Sequence, residues 1–203
     1  MDALEVFADV GCPFAHVGLR RFVAERERRG VDRPRLRVRA WPLEVVNGTP
    51  LDAHVVATEV VAMRHGVAPD LFAGFAEDRY PATTLPALAA EAAAYRAGAA
   101  EGEAFSLAIR GALFERGLDV ADADVLADLL AAAGLPAVTN DDVAAVHADH
   151  RAGTERGVRG SPHFFAGNDG FFCPALHIEH HGDDITVTYD HEQRERFMAA
   201  AFA

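Results

Sequence analysis

The first forty residues constrain the fold most strongly, because they change between the two periodicities of regular structure. Residues 4–8 alternate in apolar character and run into the turn Gly11-Cys12-Pro13. Apolar residues then recur at helical spacing, and residues 36–41 alternate again. This pattern predicts a strand, a helix with Pro13 in its first turn, and a second strand parallel to the first after a right-handed crossover. The chain therefore opens with a βαβ unit.

The middle of the chain shows no strand pattern between residues 51 and 157. Glycine and proline punctuation divides it into five or six predicted helices, with candidates at 52–65, 84–97, 102–116, 122–133 and 140–156. The tail returns to predicted strands at 163–166, 171–178 and 185–189, with turns at 167–170 and 182–184 and a helix at 190–202. We therefore predict an α/β protein with one domain from residues 1–48 and 157–203, and an all-helical insertion domain from 49–156.

The composition restricts the partners of the chain. It has 203 residues, 50% of them hydrophobic, and its 31 acidic residues outweigh 19 basic ones, all of them arginine, to give a net charge of −12. Such a surface repels a phosphate backbone, so no nucleic-acid partner is expected. The sequence shows no basic, apolar leader and no stretch of about 20 apolar residues. We expect no membrane association and a cytoplasmic protein.

Cys12 is the sharpest chemical feature, because it stands between a predicted strand and a predicted helix. Amide groups at a helix N-terminus stabilise a thiolate and lower a cysteine pKa from about 8.5 to about 3.5–7.5. The position predicts a nucleophile, and the alternative is a small buried hydrophobic side chain.

Ser161-Pro162 is the second feature, since it directly precedes a predicted strand. A proline is tolerated as the first residue of a strand, and an X-Pro bond in a tight turn is the usual place for a cis peptide. On the residues alone, a trans proline that starts a strand is the favoured interpretation.

Together, residues 9–14 (Asp-Val-Gly-Cys-Pro-Phe) and 157–164 (Gly-Val-Arg-Gly-Ser-Pro-His-Phe) resemble the DsbA-like branch of the thioredoxin superfamily. The resemblance is to its FrnE-type cytoplasmic members, which are related to 2-hydroxychromene-2-carboxylate isomerases and kappa-class glutathione transferases. It covers nearly the whole chain and implies a thioredoxin-like domain with a helical insertion. It also implies that Cys12 is the attacking thiol and that Pro162 is a cis-proline whose loop meets the substrate. The residues expected to contact substrate are Pro13, Phe14, His16, Ser161, Pro162 and His163.

The chain departs from the redox members of that family at Ala15, which occupies the position of the second cysteine in Cys-x-x-Cys. Three mechanisms then remain open for Cys12. An external thiol such as glutathione or mycothiol completes the cycle, or Cys173 resolves it as a second catalytic thiol, or the site is a glutathione- or mycothiol-dependent isomerase or transferase for a small hydrophobic electrophile. A binding module that has lost catalysis is a further alternative.

The expected partners follow from this thiol chemistry. They are a small-molecule thiol or a protein or peptide disulfide, with a homodimer as the expected assembly and no tightly bound cofactor.

The residues around Cys12 also leave alternatives open. His16, one helical turn after Cys12, and His163, directly after Pro162, are candidates for proton transfer, while His16 equally suits packing at a domain interface. Asp9, three residues before Cys12, either caps the following turn or raises the thiol pKa from a buried position, and we favour the cap.

The densest set of potential metal ligands lies near the C-terminus. Its residues are His177, Glu179, His180, His181, Asp183, Asp184 and His191. Their spacing matches no known ligand pattern, and polar residues on one face of a hairpin are normally solvated, so no metal site is predicted.

Overall fold

The computed structural model describes residues 1–181 and 184–203. Its elements in chain order are β1 (Ala3–Ala8), α1 (Pro13–Arg28), β2 (Arg35–Ala40), α2 (Leu43–Asn47), α3 (Ala53–Gly66), a 3₁₀ turn (Glu77–Arg79), α4 (Leu85–Ala97), α5 (Ala99–Arg116), α6 (Ala123–Ala132), α7 (Asn140–Glu155), β3 (His163–Ala166), β4 (Asp169–Phe172), β5 (Leu176–His181), β6 (Asp184–Tyr189) and α8 (His191–Ala201).

The main sheet has four strands in the order β2-β1-β3-β4. β1 and β2 are parallel neighbours in the sheet, and α1 connects them along the chain. The predicted βαβ unit is therefore confirmed. β3 is antiparallel to β1 and to β4, and it places Phe164 opposite Val6. The end of β1 and the start of α1 therefore lie beside the start of β3, which Ser161 and Pro162 precede.

The predicted strand at 171–178 is wrong, because the chain changes direction within it. β4 ends at Phe172, and Cys173 has a left-handed backbone with φ 43°. β5 then pairs only with β6, in a separate two-stranded sheet, among the residues described. That sheet packs on α3, where the hydroxyl of Tyr189 donates to the Val67 carbonyl at 2.9 Å. The predicted turn at 182–184 falls largely outside the described residues.

The two faces of the main sheet are covered by different helices. Phe164 lies on the face that meets α1 and α8, and its ring is 4.9 Å from that of Phe197. Phe7 and Trp41 lie on the other face, which α7 covers. Gly153 of α7 comes so close that a Cβ there would stand 2.6 Å from a carbon of Trp41. A helix of the predicted insertion thus packs directly on the sheet, and glycine permits the close approach.

The predicted helices of the middle segment correspond to α3, α4, α5, α6 and α7. Most of their ends differ from the predicted ends by one to three residues. The short helix α2 was not predicted, since its five residues carry too little periodicity. The predicted domain boundaries at 48/49 and 156/157 stay a prediction. Within the described residues, none of the helices combines the length and apolar character that crossing a bilayer needs.

Candidate active site

Cys12 is the N-cap residue of α1, with Pro13 as the first helical residue. Its sulfur donates a hydrogen bond to the Ser161 carbonyl oxygen at 3.2 Å. The side chain is only 3% exposed and belongs to the hydrophobic core. The cysteine therefore stands at the helix start that the sequence predicts, but it lies beneath the surface.

Burial raises the pKa of the Cys12 thiol to about 12. The hydrogen bonds with Ser161 and the Ala15 amide lower that pKa, while the charges of Glu59 and Asp9 raise it. The predicted lowering of the pKa is therefore wrong. The helix N-terminus does act on the sulfur in the expected direction, but the loss of hydration outweighs it.

The loop before β3 brings the second cysteine to the same place. The Ser161-Pro162 peptide bond is cis, and the Pro162 carbonyl accepts a hydrogen bond from the Cys173 amide at 3.0 Å. The Cys173 sulfur lies 3.9 Å from the Ser161 carbonyl oxygen, which also binds Cys12. Two sulfurs that share one oxygen cannot lie farther apart than the sum of those two distances.

Both cysteines are free thiols in this structure. Cys173 is 5% exposed, and burial raises its pKa, as do the charges of Cys12 and Glu59. The structure thus brings together two protonated thiols that are 161 positions apart in sequence.

Asp9 lies at the end of β1 and is fully buried. Its carboxylate accepts hydrogen bonds from the Gly11 amide at 2.8 Å, the Leu43 amide at 2.7 Å and the Thr84 hydroxyl at 3.1 Å. The Asp9 amide donates to the Ser161 hydroxyl at 2.9 Å. Asp9 caps the turn, as favoured from the sequence, and it also binds two segments that the sequence did not connect with it.

Gly11 is the contact point between the Cys12 turn and the segment before α4. Its carbonyl accepts a hydrogen bond from the Tyr80 hydroxyl at 2.9 Å. A Cβ at Gly11 would lie 2.4 Å from that hydroxyl oxygen and 2.8 Å from the Thr84 methyl group. The absence of a side chain therefore allows the segment around Tyr80 to close over the turn.

Glu59, on α3, is a residue of the site that sequence reasoning missed. Burial raises its pKa to about 7, and its charge raises the pKa of Cys12, Cys173 and the Tyr80 hydroxyl. An isolated glutamate on a predicted helix gives no signal that it faces a site 47 positions away. Only the packing of α3 shows it.

A cleft of about 360 Å³ runs along α1 from the cis-proline loop. Phe14, Pro162 and Cys173 line its first part, which supports the expectation that Phe14 faces a ligand groove. Farther along, Phe164 and Phe197 form an apolar floor. The rim carries arginines bound to carboxylates: Arg21 to Asp70, and both Arg28 and Arg194 to Glu25.

His16 does not face this cleft. It is 1% exposed, its Nε2 lies 2.6 Å from an oxygen of Glu115, and its ring packs against Phe72 and Phe114. Burial lowers the pKa of His16, and the hydrogen bond with Glu115 opposes that effect. The structure corrects the expected substrate contact: His16 joins α1 to α5.

His163 also lies away from the cleft. It points to the sheet face of Phe7, its ring stacks on Phe165 at 4.6 Å, and its Nδ1 accepts from the Arg159 amide at 3.0 Å. Burial lowers the pKa of His163 to about 4, so the ring is neutral at physiological pH. The expected contact with substrate is corrected, because successive residues of a strand point to opposite faces.

Some of the possible metal ligands near the C-terminus lie outside the described part of the chain. These are Asp183 and the side chains of His180, His181 and Asp184. Among the side chains that are described, no group of three histidine, cysteine or acidic residues could hold a metal ion. His177 and Glu179 are in contact at 3.0 Å.

A family model described as DSBA-like thioredoxin domain matches residues 3–185. None of the curated proteins matches the sequence. Among solved structures, the chain is similar to a 2-hydroxychromene-2-carboxylate isomerase, with 16% identity, a TM-score of 0.65 and coverage of 84% of this chain and 88% of the other.

The chain is also similar to the cytosolic disulfide reductase DsbM from Pseudomonas aeruginosa, with 17% identity, a TM-score of 0.64 and coverage of 99% and 100%. The same reductase with GSH gives 20% identity, a TM-score of 0.54 and coverage of 80% and 84%. At these identities the structures establish a shared fold.

Proposed function

Because the chain belongs to the DSBA-like thioredoxin domain family, we propose that it is a thiol-disulfide oxidoreductase in which Cys12 attacks a disulfide and Cys173 resolves the product. One observation carries this proposal: the sulfurs of Cys12 and Cys173 share the Ser161 carbonyl oxygen. A second thiol thus lies at the cis-proline loop near Cys12, in a chain whose Ala15 stands at the position of the usual second cysteine.

The reaction proceeds in two exchanges. The Cys12 thiolate attacks one sulfur of a substrate disulfide, a mixed disulfide forms, and the other substrate sulfur leaves as a thiolate that takes up a proton. The Cys173 thiolate then attacks the Cys12 sulfur, and the second substrate thiol leaves. The substrate gains two electrons and two protons, and the protein becomes a Cys12–Cys173 disulfide. Two molecules of glutathione or mycothiol reduce that disulfide and are themselves oxidised.

The state of the thiol sets the pace of the first exchange. A thiol with a pKa near 12 is almost entirely protonated at neutral pH, and only the thiolate attacks. Exchange at Cys12 is therefore expected to be slow in the free protein and to accelerate as the pH rises.

The cleft along α1 is the proposed substrate site. It begins at Phe14, Pro162 and Cys173, so a disulfide placed there lies beside the cis-proline loop. Its apolar floor fits the uncharged parts of a peptide or a glutathione-like thiol. The cytosolic location of the similar reductase DsbM supports the expectation that this chain also acts in the cytoplasm.

Mass spectrometry of the whole protein tests the proposal. Treatment with glutathione disulfide is expected to remove two hydrogens and to leave a Cys12–Cys173 crosslink in the peptide map. In Cys173→Ala the mixed disulfide of Cys12 with glutathione is expected to accumulate, whereas Cys12→Ala should give neither product. A wild-type protein that keeps both thiols free under conditions that oxidise a denatured sample would contradict the proposal and favour a binding module.

A second candidate function is that of a glutathione- or mycothiol-dependent isomerase or transferase. The largely apolar cleft favours it, and the chain shares its fold with a 2-hydroxychromene-2-carboxylate isomerase. This reading predicts that reduced glutathione binds saturably and that Cys12→Ser keeps the binding. Reduction of a peptide disulfide that depends on both cysteines would exclude it as the main activity.

A further inference from the structure

The Asp9 carboxylate is hydrogen-bonded to three segments, of which one is the Cys12 turn itself. Its carboxylate receives the Gly11 amide from the turn, the Leu43 amide from the start of α2 and the Thr84 hydroxyl from the N-cap of α4. These bonds span 2.7 to 3.1 Å; those from Gly11 and Thr84 are buried, and that from Leu43 is partly buried. Asp9 therefore does more than cap its own turn.

Asp9 and Cys12 also bind the same residue of the cis-proline loop. The Asp9 amide donates to the Ser161 hydroxyl at 2.9 Å, and the Cys12 sulfur donates to the Ser161 carbonyl at 3.2 Å. A displacement of Asp9 would move both the turn that carries Cys12 and the loop that receives its hydrogen bond.

We propose that Asp9 is the positioning residue of Cys12, which holds the thiol against the Ser161 carbonyl and opposes the formation of the thiolate through its own negative charge. This inference rests on the proposed role of Cys12 as the attacking thiol. It goes further in naming the group that restrains that thiol before a substrate is present.

The donors around Asp9 favour its charged form. Two amides, which can only donate, face the carboxylate, and the Thr84 hydroxyl adds a third bond. Burial raises the pKa of Asp9 above its ordinary value, because it outweighs the lowering by these three bonds and by the charge of Arg110. The ionised form, which the donors favour, raises the pKa of Cys12.

The other titratable groups that interact electrostatically with Cys12 come from three different segments. Glu59 of α3 adds a second negative charge, the Tyr80 hydroxyl has a pKa raised by burial and is neutral, and Cys173 is a buried thiol. A test of Asp9 must therefore separate its charge from its packing and from the charge of Glu59.

Alkylation of Cys12 in Asp9→Asn, followed by peptide mapping, provides that test. Loss of the charge is expected to lower the pKa of Cys12 by about 1 unit. The thiolate fraction then rises about tenfold while the nucleophilicity of each thiolate falls, so iodoacetamide should react about threefold faster at about pH 8. Iodoacetate, which carries a negative charge, should gain more than neutral iodoacetamide.

Thr84→Val is the matched control, because it removes a hydrogen bond to Asp9 and keeps the charge and the shape. Loosening of the turn would speed both reagents equally in either variant. We expect the ratio of iodoacetate to iodoacetamide rates to rise severalfold in Asp9→Asn and to stay at the wild-type value in Thr84→Val. Glu59→Gln, measured in parallel, reports how much of the field comes from the second carboxylate.

The outcomes separate the two proposals. An unchanged ratio in Asp9→Asn overturns the role of Asp9, whatever the wild-type protein does with glutathione disulfide. A raised ratio, together with wild-type Cys12 that forms no mixed disulfide, keeps the role of Asp9 and overturns the oxidoreductase. If Asp9→Asn shows no cooperative unfolding transition, Asp9→Ser removes the same charge from a smaller side chain and is judged by the same ratio.

Discussion

Asp9 and Glu103 are both buried carboxylates that join the sheet to the helical segment, but their partners differ. Glu103 of α5 receives both terminal nitrogens of Arg26, at 2.6 and 2.7 Å, with a further contact from Arg35 at 3.3 Å and the Leu36 amide at 2.6 Å. Asp9 receives only neutral donors, and among the described residues it has no cation within ion-pair distance.

This difference separates a structural carboxylate from one that acts on chemistry. Arg26 and Arg35 neutralise the charge of Glu103, so the carboxylate has little electrostatic effect on other groups. Its contribution is to folding stability. Asp9 has no such cation, and its carboxylate, where ionised, raises the pKa of Cys12. Neutral donors can therefore stabilise a buried carboxylate without neutralising its charge, which can still act on nearby titratable groups.

The largest expected effect breaks the Glu103 side of this comparison. Glu103→Gln leaves Arg26 buried opposite a neutral amide, and we expect the free energy of unfolding to fall by about 3 kcal/mol. The rate at which iodoacetamide modifies Cys12 should not change. Urea denaturation and peptide mapping measure the two quantities.

The matched control for Glu103 is Asp70→Asn, which breaks the exposed ion pair with Arg21. It is expected to cost less than about 1 kcal/mol. Equal losses in the two variants would show that burial does not distinguish these carboxylates.

Glu59 sharpens the comparison, since it is a partly buried carboxyl whose charge acts on both thiols, and burial raises its pKa to about 7. The folded protein then holds a proton that the unfolded chain releases near its ordinary pKa of 4.5. The contribution of Glu59 to stability is present below that pKa and is lost as the pH rises through about 7.

We expect the free energy of unfolding of the wild-type protein to fall by about 2 kcal/mol across that interval relative to Glu59→Gln. Urea titrations at several pH values, run in parallel on both proteins, measure the difference. Parallel stability curves would mean that Glu59 titrates as it does in water.

Asp122 gives the smallest expected effect, because it is a surface carboxylate with neutral donors. It is the N-cap of α6 and accepts from the amides of Asp124 and Val125 at 2.8 and 3.1 Å. Asp122→Ala should cost about 1 kcal/mol in thermal or urea unfolding and leave Cys12 alkylation unchanged. Asp128→Ala, an exposed position on the same helix, should change stability by less than about 0.5 kcal/mol.

The elements that depend on local periodicity could be predicted from the sequence. The βαβ opening, the five middle helices and the last helix follow from apolar spacing and helix caps within windows of about fifteen residues. The break at Cys173 has one sequence signal, Pro174, which interrupts residues 171–178, whereas the left-handed backbone at Cys173 has none, since it is not a glycine.

The site was predictable in its position along the chain but not in its environment. The place of Cys12 at the start of α1 follows from Pro13, yet its surroundings include the Ser161 carbonyl and the charge of Glu59, which come from distant segments. The direction of His163 was within reach of the sequence, because Pro162 and Phe164 on one face place His163 on the other.

The shared carbonyl of Ser161 has a consequence for the oxidised protein. In the reduced state this oxygen faces the hydrogens of both Cys12 and Cys173. Closure of a bridge between the two sulfurs would consume both hydrogens and leave the oxygen without a donor. The Ser161 carbonyl would then be free to accept a hydrogen bond from a backbone amide of an approaching polypeptide. The redox state of the two cysteines would therefore set how strongly the loop binds peptide.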